Sequence, residues 1–411
     1  MKYENIEEIR KIFIETLEKY EGEPVLFDIP SEILREIVTP TYANEDIRYI
    51  PKDIRPHLKK IDFSNISFDN VIIDQFDFTG LKNVRINPQT VYARSLYHTV
   101  LNGVTIIGPF DNVDVRGADF TGAKSIDGGM IKMNSQTIKG KSVAYSKLSG
   151  VEFIGSFNNV YVGGADFTGS KGAIINPCKL RDKTLLKTKL TDAIIDGSFR
   201  KVILKNTDFT GAKSIDGGMV KINPQHISEQ CMLNCKFNGV EFTGGFKNMN
   251  IRGSNFEGSK GATIYPQELC IKMVDGCNFA NVIFDGSFDG ISIVGVNFMG
   301  SKGAVINPQT IHNKDLNYCN FFDVVFNGSF DGASIIESKF LGSTNAVINP
   351  QTVYNKCLLD ADLRDAIVID DFDGVIMDGV TYTDLLLIDK DEIREEKEKE
   401  YCITKIKSIL N

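Results

Sequence analysis

The sequence predicts an all-β solenoid with short helical segments at its two ends. Three observations predict it. Residues 115–138 and 204–227, 89 positions apart, share FTGAKSIDGGM letter for letter. Phe110, Phe157, Phe199, Phe246, Phe288, Phe330 and Phe372 recur at spacings of 47, 42, 47, 42, 42 and 42. Between them, large apolar residues return every five positions, a period that fits neither a helix nor a strand but fits a chain turning a corner every fifth residue.

Residues 1–60 read as a mostly helical segment. Ile6, Ile9, Phe13 and Leu17 share one face of a helix over residues 4–20. Ser31 is placed to cap a second, short helix, EILREIV, which ends before Pro40. A connector punctuated by Pro51 and Pro56 then leads into the first coil near Ile61.

Residues 61–388 carry the array. Starting at Ile311, steps of five reach Leu316, Phe321 and Phe326; a step of four reaches Phe330; steps of five then reach Ile335 and Phe340. The same walk started at Val91, Ile138, Leu180, Ile227, Leu269 and Val353 completes seven copies of seven columns, and all 49 positions are apolar in a chain that is 42% hydrophobic. Phe120, Phe167, Phe209, Phe256, Phe298 and Phe340 form the second Phe column, with Tyr382 in the last copy. Two positions before most of the large residues sits a smaller one, as in the column Thr99, Ser146, Thr188, Cys235, Cys277, Cys319, Ala361. Four such sides close a coil of about twenty residues, and stacked coils bury the large residues along the axis. A 42-residue copy is then two coils. Each buried large side chain contributes roughly 1.5–3 kcal/mol, set against about 1–2 kcal/mol per residue of backbone ordering, which explains the preference for Phe. About fifteen coils at ~4.8 Å each give a rod of roughly 70 Å.

One side of every second coil departs from the five-residue step. The path from Phe340 to Val353 runs through LGSTNAVINPQTV, and the two SIDGG copies add five more positions there. Columns on either side keep their register, so the twin stretches read as bulging loops at two enlarged corners. Residues 389–411 read as a charged helix whose apolar positions, among them Ile406 and Leu410, form either a cap over the last coil or a dimer seam.

These columns resemble the pentapeptide-repeat family, whose A(D/N)LXX motif appears as Ala118-Asp119-Phe120 and Ala165-Asp166-Phe167, with variants Ser254-Asn255-Phe256 and Ala361-Asp362-Leu363. The resemblance implies a right-handed quadrilateral β-helix with the large and small residues inward. It also implies two functions: a protein-interaction or scaffold module, and a mimic of duplex DNA that binds a type II topoisomerase to protect or inhibit it. Members of the family often dimerise through their ends, so a homodimer through an end is implied as well.

Composition bears on both functions. The chain has 46 Lys and Arg against 54 Asp and Glu. The array holds 30 and 34 of these, a weak pooled charge beside a duplex with one charge per ~1.7 Å. That favours the scaffold reading and disfavours direct nucleic-acid binding. No signal core and no run of ~18 apolar residues is present, and the eight Cys form no disulfide framework. The expectation is a cytoplasmic protein that does not engage membrane.

No catalytic, cofactor or metal site is expected. Cys235, Cys277 and Cys319 are two coils apart, about 10 Å, too far to share one ion bound at ~2.3 Å. His57, His98, His226 and His312 fall in unrelated columns, and Gly128-Gly129 and Gly217-Gly218 lack the Lys-Ser/Thr of a phosphate loop. Asp119, Asp166 and Asp208 occupy an outward position suited to turn chemistry. The candidate surface corner is the Asn-Pro column, Asn87, Asn176, Asn223, Asn307 and Asn349, with Gln two residues on in most copies. Its structural reading is a turn in which Asn caps the bend and Pro fixes φ.

Overall fold

The computed structural model describes residues 6–22, 31–41 and 47–382. Helix α1 spans Ile6–Lys19 and buries Phe13 and Leu17, while Ile6 and Ile9 are half-buried. Helix α2 spans Ser31–Val38 and buries Leu34, Ile37 and Val38. Residues 48–49 pair in parallel with 71–72 of the first coil, Arg48 opposite Val71. Lys60 Nζ donates to the Leu17 carbonyl at 2.6 Å, and Arg35 Nη2 donates to the Asp69 carbonyl at 2.7 Å. The first coil's backbone edge is therefore paired and covered, as a solenoid end requires. The helix read over 389–411 lies outside the described residues.

The chain divides into two compact units, residues 1–220 and 221–411. In the first, parallel bridges join Val100 to Asp119, Lys147 to Asp166 and Lys189 to Asp208, each a step of 19 along the sequence, while Asp166 to Lys189 is a step of 23. In the second, Asn278 to Asn297 and Asn320 to Lys339 are steps of 19, and Asn297 to Asn320 and Lys339 to Asp362 are steps of 23. A 42-residue copy is thus one short coil and one long coil. We number the four faces of a coil from their inward residues: Leu269 or Phe288, then Val274 or Ile293, then Phe279 or Phe298, then Phe284 or Ile306.

The core follows the columns. Every column position from Val91 through Val368 is buried, including Phe120, Phe167, Phe209, Phe256, Phe298 and Phe340 at 0% exposure. Rings stack in edge-to-face pairs repeated along each unit, Phe110 on Phe120 at 5.7 Å and Phe288 on Phe298 at 5.5 Å, the geometry aromatic quadrupoles prefer. Phe372 corrects the expectation of a buried column: it is only half-buried and stacks on Tyr382, which is 51% exposed. Both belong to the last described coil, which has no described coil beyond it.

The irregular side has a simple cause. Ile86, Met133, Ile175, Ile222, Ile264, Ile306 and Ile348 form a further buried column. It lies eight positions after the preceding Phe in the ordinary copies, Phe298 to Ile306 for example, so a five-residue walk misses it. The extra residues form a tight bend at Gly172, Gly261 and Gly303. At Gly261, φ is +70° and a Cβ would stand 2.5 Å from the Phe242 carbonyl oxygen, which favours glycine there, while Asn83 and Asn345 hold the same left-handed bend in other copies at φ 62°. In the enlarged copy the coil from Asp119 to Lys147 is a step of 28. Residues 125–129 close on themselves there, with Ser125 N–H donating to the Gly129 carbonyl at 3.0 Å and Gly129 N–H to Asp127 Oδ1 at 2.9 Å. Residues 214–218 repeat both bonds at 3.0 and 2.9 Å. The loops leave the coil and return, with Ile126 and Ile215 exposed on them.

Candidate functional site

The small inward column is polar for a reason that is not catalytic. Thr99 Oγ1 donates to the Ile73 carbonyl at 2.9 Å, Ser146 Oγ to Val115 at 2.6 Å and Cys319 Sγ to Ile293 at 2.9 Å. Each satisfies a carbonyl of an earlier coil, which a buried backbone needs. Burial pushes the Cys277 and Cys319 thiols up to about 12, so neither supplies a thiolate near neutral pH. His98 packs edge-on to Tyr97 at 4.3 Å. Among the described residues no three His, Cys, Asp or Glu side chains gather as metal ligands.

At the Asn-Pro corner, Asn87, Asn223, Asn307 and Asn349 do the same thing. Each Oδ1 accepts the N–H of the Gln two residues on, at 3.0, 3.0, 3.0 and 2.9 Å. That Gln, which the column count does not explain, reaches across to the next coil. Gln309 Nε2 donates to the carbonyls of Ser329 at 2.9 Å and Asp331 at 2.8 Å, on either side of Phe330. Gln89, Gln136, Gln225, Gln267 and Gln351 repeat the two-carbonyl clamp on the short turn of their own next coil. The four-residue step is the turn that this clamp holds, with one side chain fixing both flanking carbonyls. A Cβ on Gly328 would collide with Asn307 Oδ1, so the glycine of that turn makes room for the Asn. Asn176 is the exception. Cys178 stands where its neighbours have Gln, and Asn176 Oδ1 is buried without a hydrogen-bond partner.

The outward acids also have a local task. Asp119, Asp166 and Asp208 each accept the N–H two residues on, at 3.0, 3.0 and 2.9 Å. Lys147 Nζ reaches Asp119 at 2.8 Å and Lys189 Nζ reaches Asp166 at 3.0 Å across coils. Burial raises the Asp119 pKa, but hydrogen bonds from Lys147 and Thr121 outweigh it and hold the carboxyl below its ordinary value.

The outer faces of the array carry charge sorted in a way that the pooled count conceals. Residues 61–220 hold 19 Lys and Arg against 15 Asp and Glu; residues 221–382 hold 11 against 18. Within the first unit, faces one and two between Arg94 and Lys205 carry eleven cations against three Asp. Within the second, the same faces carry five cations and at least twice as many acids. A concavity of about 430 Å³ lies on the cationic side, lined by Arg116, Lys139, Tyr161 and Arg181. Arg181 donates to the Gly140 and Lys141 carbonyls there, and Arg116 pairs with Asp114 at 2.6 Å. A sum over each half of the array finds this segregation from sequence.

No family model and no curated protein sequence matches the chain. Among solved structures, similarity is found to HetL, a pentapeptide repeat protein involved in heterocyst differentiation regulation from the cyanobacterium Nostoc sp. strain PCC 7120. Its identity is 14%, over 58% of this chain and 82% of that one, with a TM-score of 0.14. Full-length QnrB1, a plasmid-mediated fluoroquinolone resistance protein, is similar at 13% identity over 75% of this chain and 96% of its own, with a TM-score of 0.11. The five-residue columns, the parallel bridges between successive coils and the inward Phe ladders make the array a pentapeptide-repeat β-helix.

Proposed function

We propose that the chain is a non-enzymatic interaction scaffold whose outer faces bind protein. One observation carries the reading. The axis of each unit is filled by its columns, the recurrent polar side chains are occupied in turns and clamps, and the variable outward positions carry charge sorted by sign. Such faces steer association with oppositely charged partners and weaken as salt rises. Immobilised full-length chain, presented to lysate at low and at high salt, should retain a defined partner at low salt only. Failure to enrich any protein above a charge-matched control bead sinks the reading.

A second reading, mimicry of duplex DNA towards a type II topoisomerase, draws support from the second unit alone. Its 18 acids against 11 cations in residues 221–382 are closer to a nucleic-acid-like surface than the pooled array is. Supercoiling by DNA gyrase, assayed with the chain in large excess, decides it: an unchanged rate removes this reading and leaves the first intact.

A further inference from the structure

Two outward surfaces of this chain each carry an excess of one sign of charge. On face one of the first unit, Arg94, Lys139 and Lys183 are exposed, and no described carboxylate lies within 4.0 Å of any of them. On face two of the second unit, Glu337, Asp360 and Asp378 are exposed on successive coils, and no described cation lies within 4.0 Å of them. Elsewhere charges find partners across coils: Lys147 with Asp119, Lys171 with Glu152 at 2.9 Å, Lys247 with Glu268 at 3.2 Å. Neither of the two sets takes part in such an ion pair among the described residues.

The rows also share a ruler. Cα partners in neighbouring coils are about 4.8 Å apart. The bridges that set this spacing are Ser142 to Tyr161 and Thr184 to Ile203 in one unit, and Asp315 to Ser334 and Cys357 to Ile376 in the other, all of them steps of 19. Cations on one surface and carboxylates on the other therefore recur at whole multiples of the same rise. We infer that face one of the first unit docks against face two of the second unit of another copy of this chain, the exposed Lys and Arg of one meeting the exposed Asp and Glu of the other. The contact joins unlike surfaces, so it is heterologous, and it is dominated by charge, so it is salt-sensitive. It rests on the scaffold reading only in using the outer faces. Loss of every lysate partner would leave it standing, and loss of self-association would leave that reading standing.

Light scattering on the full chain over a concentration series tests it. At about 50 mM salt the mass should rise with concentration from the 45.7 kDa of one chain to at least twice that, and at about 500 mM it should return to one chain. Arg94→Glu with Lys139→Glu and Lys183→Glu should weaken association at least tenfold, as should Glu337→Lys with Asp360→Lys and Asp378→Lys. Both triples placed in one chain should restore it, because each surface then meets its reversed counterpart. Circular dichroism and melting of each variant confirm that it folds. A mass independent of salt, an unaffected single triple, or no rescue in the combined chain overturns the inference. So does a labelled single-stranded oligonucleotide that binds the wild type, and not the first triple, while the mass stays that of one chain.

Discussion

The third face shows the same ladder built twice with different chemistry. In the first unit its outward positions run Val100, Asp119, Lys147, Asp166, Lys189, with acid and base alternating from Asp119 onward. In the second they run Lys236, Asn255, Asn278, Asn297, Asn320, Lys339, Asp362, with a central stretch of Asn in which Asn297 Nδ2 donates to Asn278 Oδ1 at 3.2 Å. Both serve the turn, since Asp119 and Asn255 each accept an N–H two residues on, at 3.0 and 2.8 Å. The interior beneath is the same, with Phe120 and Phe298 both at 0% exposure. The inward columns specify the coil, and the outward ones need only a side chain compatible with the turn and with its neighbours above and below.

If the interior is the shared part, breaking it should cost the same in both units. Phe120→Ala and Phe298→Ala should each destabilise by about 3–5 kcal/mol, measured by urea unfolding. A cost in one unit less than half that in the other would mean the cores are not equivalent. The clamp comes next. Gln309→Ala, losing two bonds to partly solvated carbonyls, should cost about 1 kcal/mol, whereas Gln309→Glu, which cannot donate to them, should cost at least as much. A neutral result for both would reduce the clamp to decoration.

The first unit has a built-in converse at Cys178, whose thiol stands against the Ser198 and Arg200 carbonyls in place of an amide. Cys178→Gln should raise stability by about 0.5 kcal/mol, read as a higher melting temperature; a lower one would show that the thiol is the better fit. The smallest effect belongs to pH. Burial raises the Asp166 pKa, but hydrogen bonds from Thr168 and Lys189 outweigh it, so its folded value, like that of Asp119, lies below the ordinary one. Stability from the pair is therefore fully present above an unfolded value of about 3.9 and is lost as pH falls through the folded values. Asp119→Asn with Asp166→Asn should flatten the acid limb of a melting-temperature profile. An unchanged limb would mean that the acid sensitivity arises elsewhere.

Most of the coil is legible because inward residues obey a period whose breach would put polar groups in the core. From Val91 to Val368 the five-residue walk finds buried positions without fail. It misses the Ile306 column because an eight-residue step, bent at Gly303, resets the count. It places Phe372 in the core because sequence pattern does not reveal how a position is covered from the next coil. Asn307 is legible as a turn residue, since Asn-Pro carries its own local chemistry. Gln309 is not, because its partners lie 20 and 22 positions away and are carbonyls, which every residue has. The charge segregation is visible in the sequence once each half is summed alone, and a single sum averages it away.

The clamp has a consequence for how such a chain can change size. Gln309 must find the short turn around Phe330, Gln351 the one around Phe372, and neither finds it if a single coil is removed between the two partners. Excision of residues 269–310, by contrast, brings Ile311 to where Leu269 stood and leaves every column, bend and clamp with a correct neighbour. A gene encoding this array can therefore grow or shrink by unequal crossing-over only in whole two-coil increments. The duplicated SIDGG corners fit such copying, the enlarged bend having been carried along with its coils.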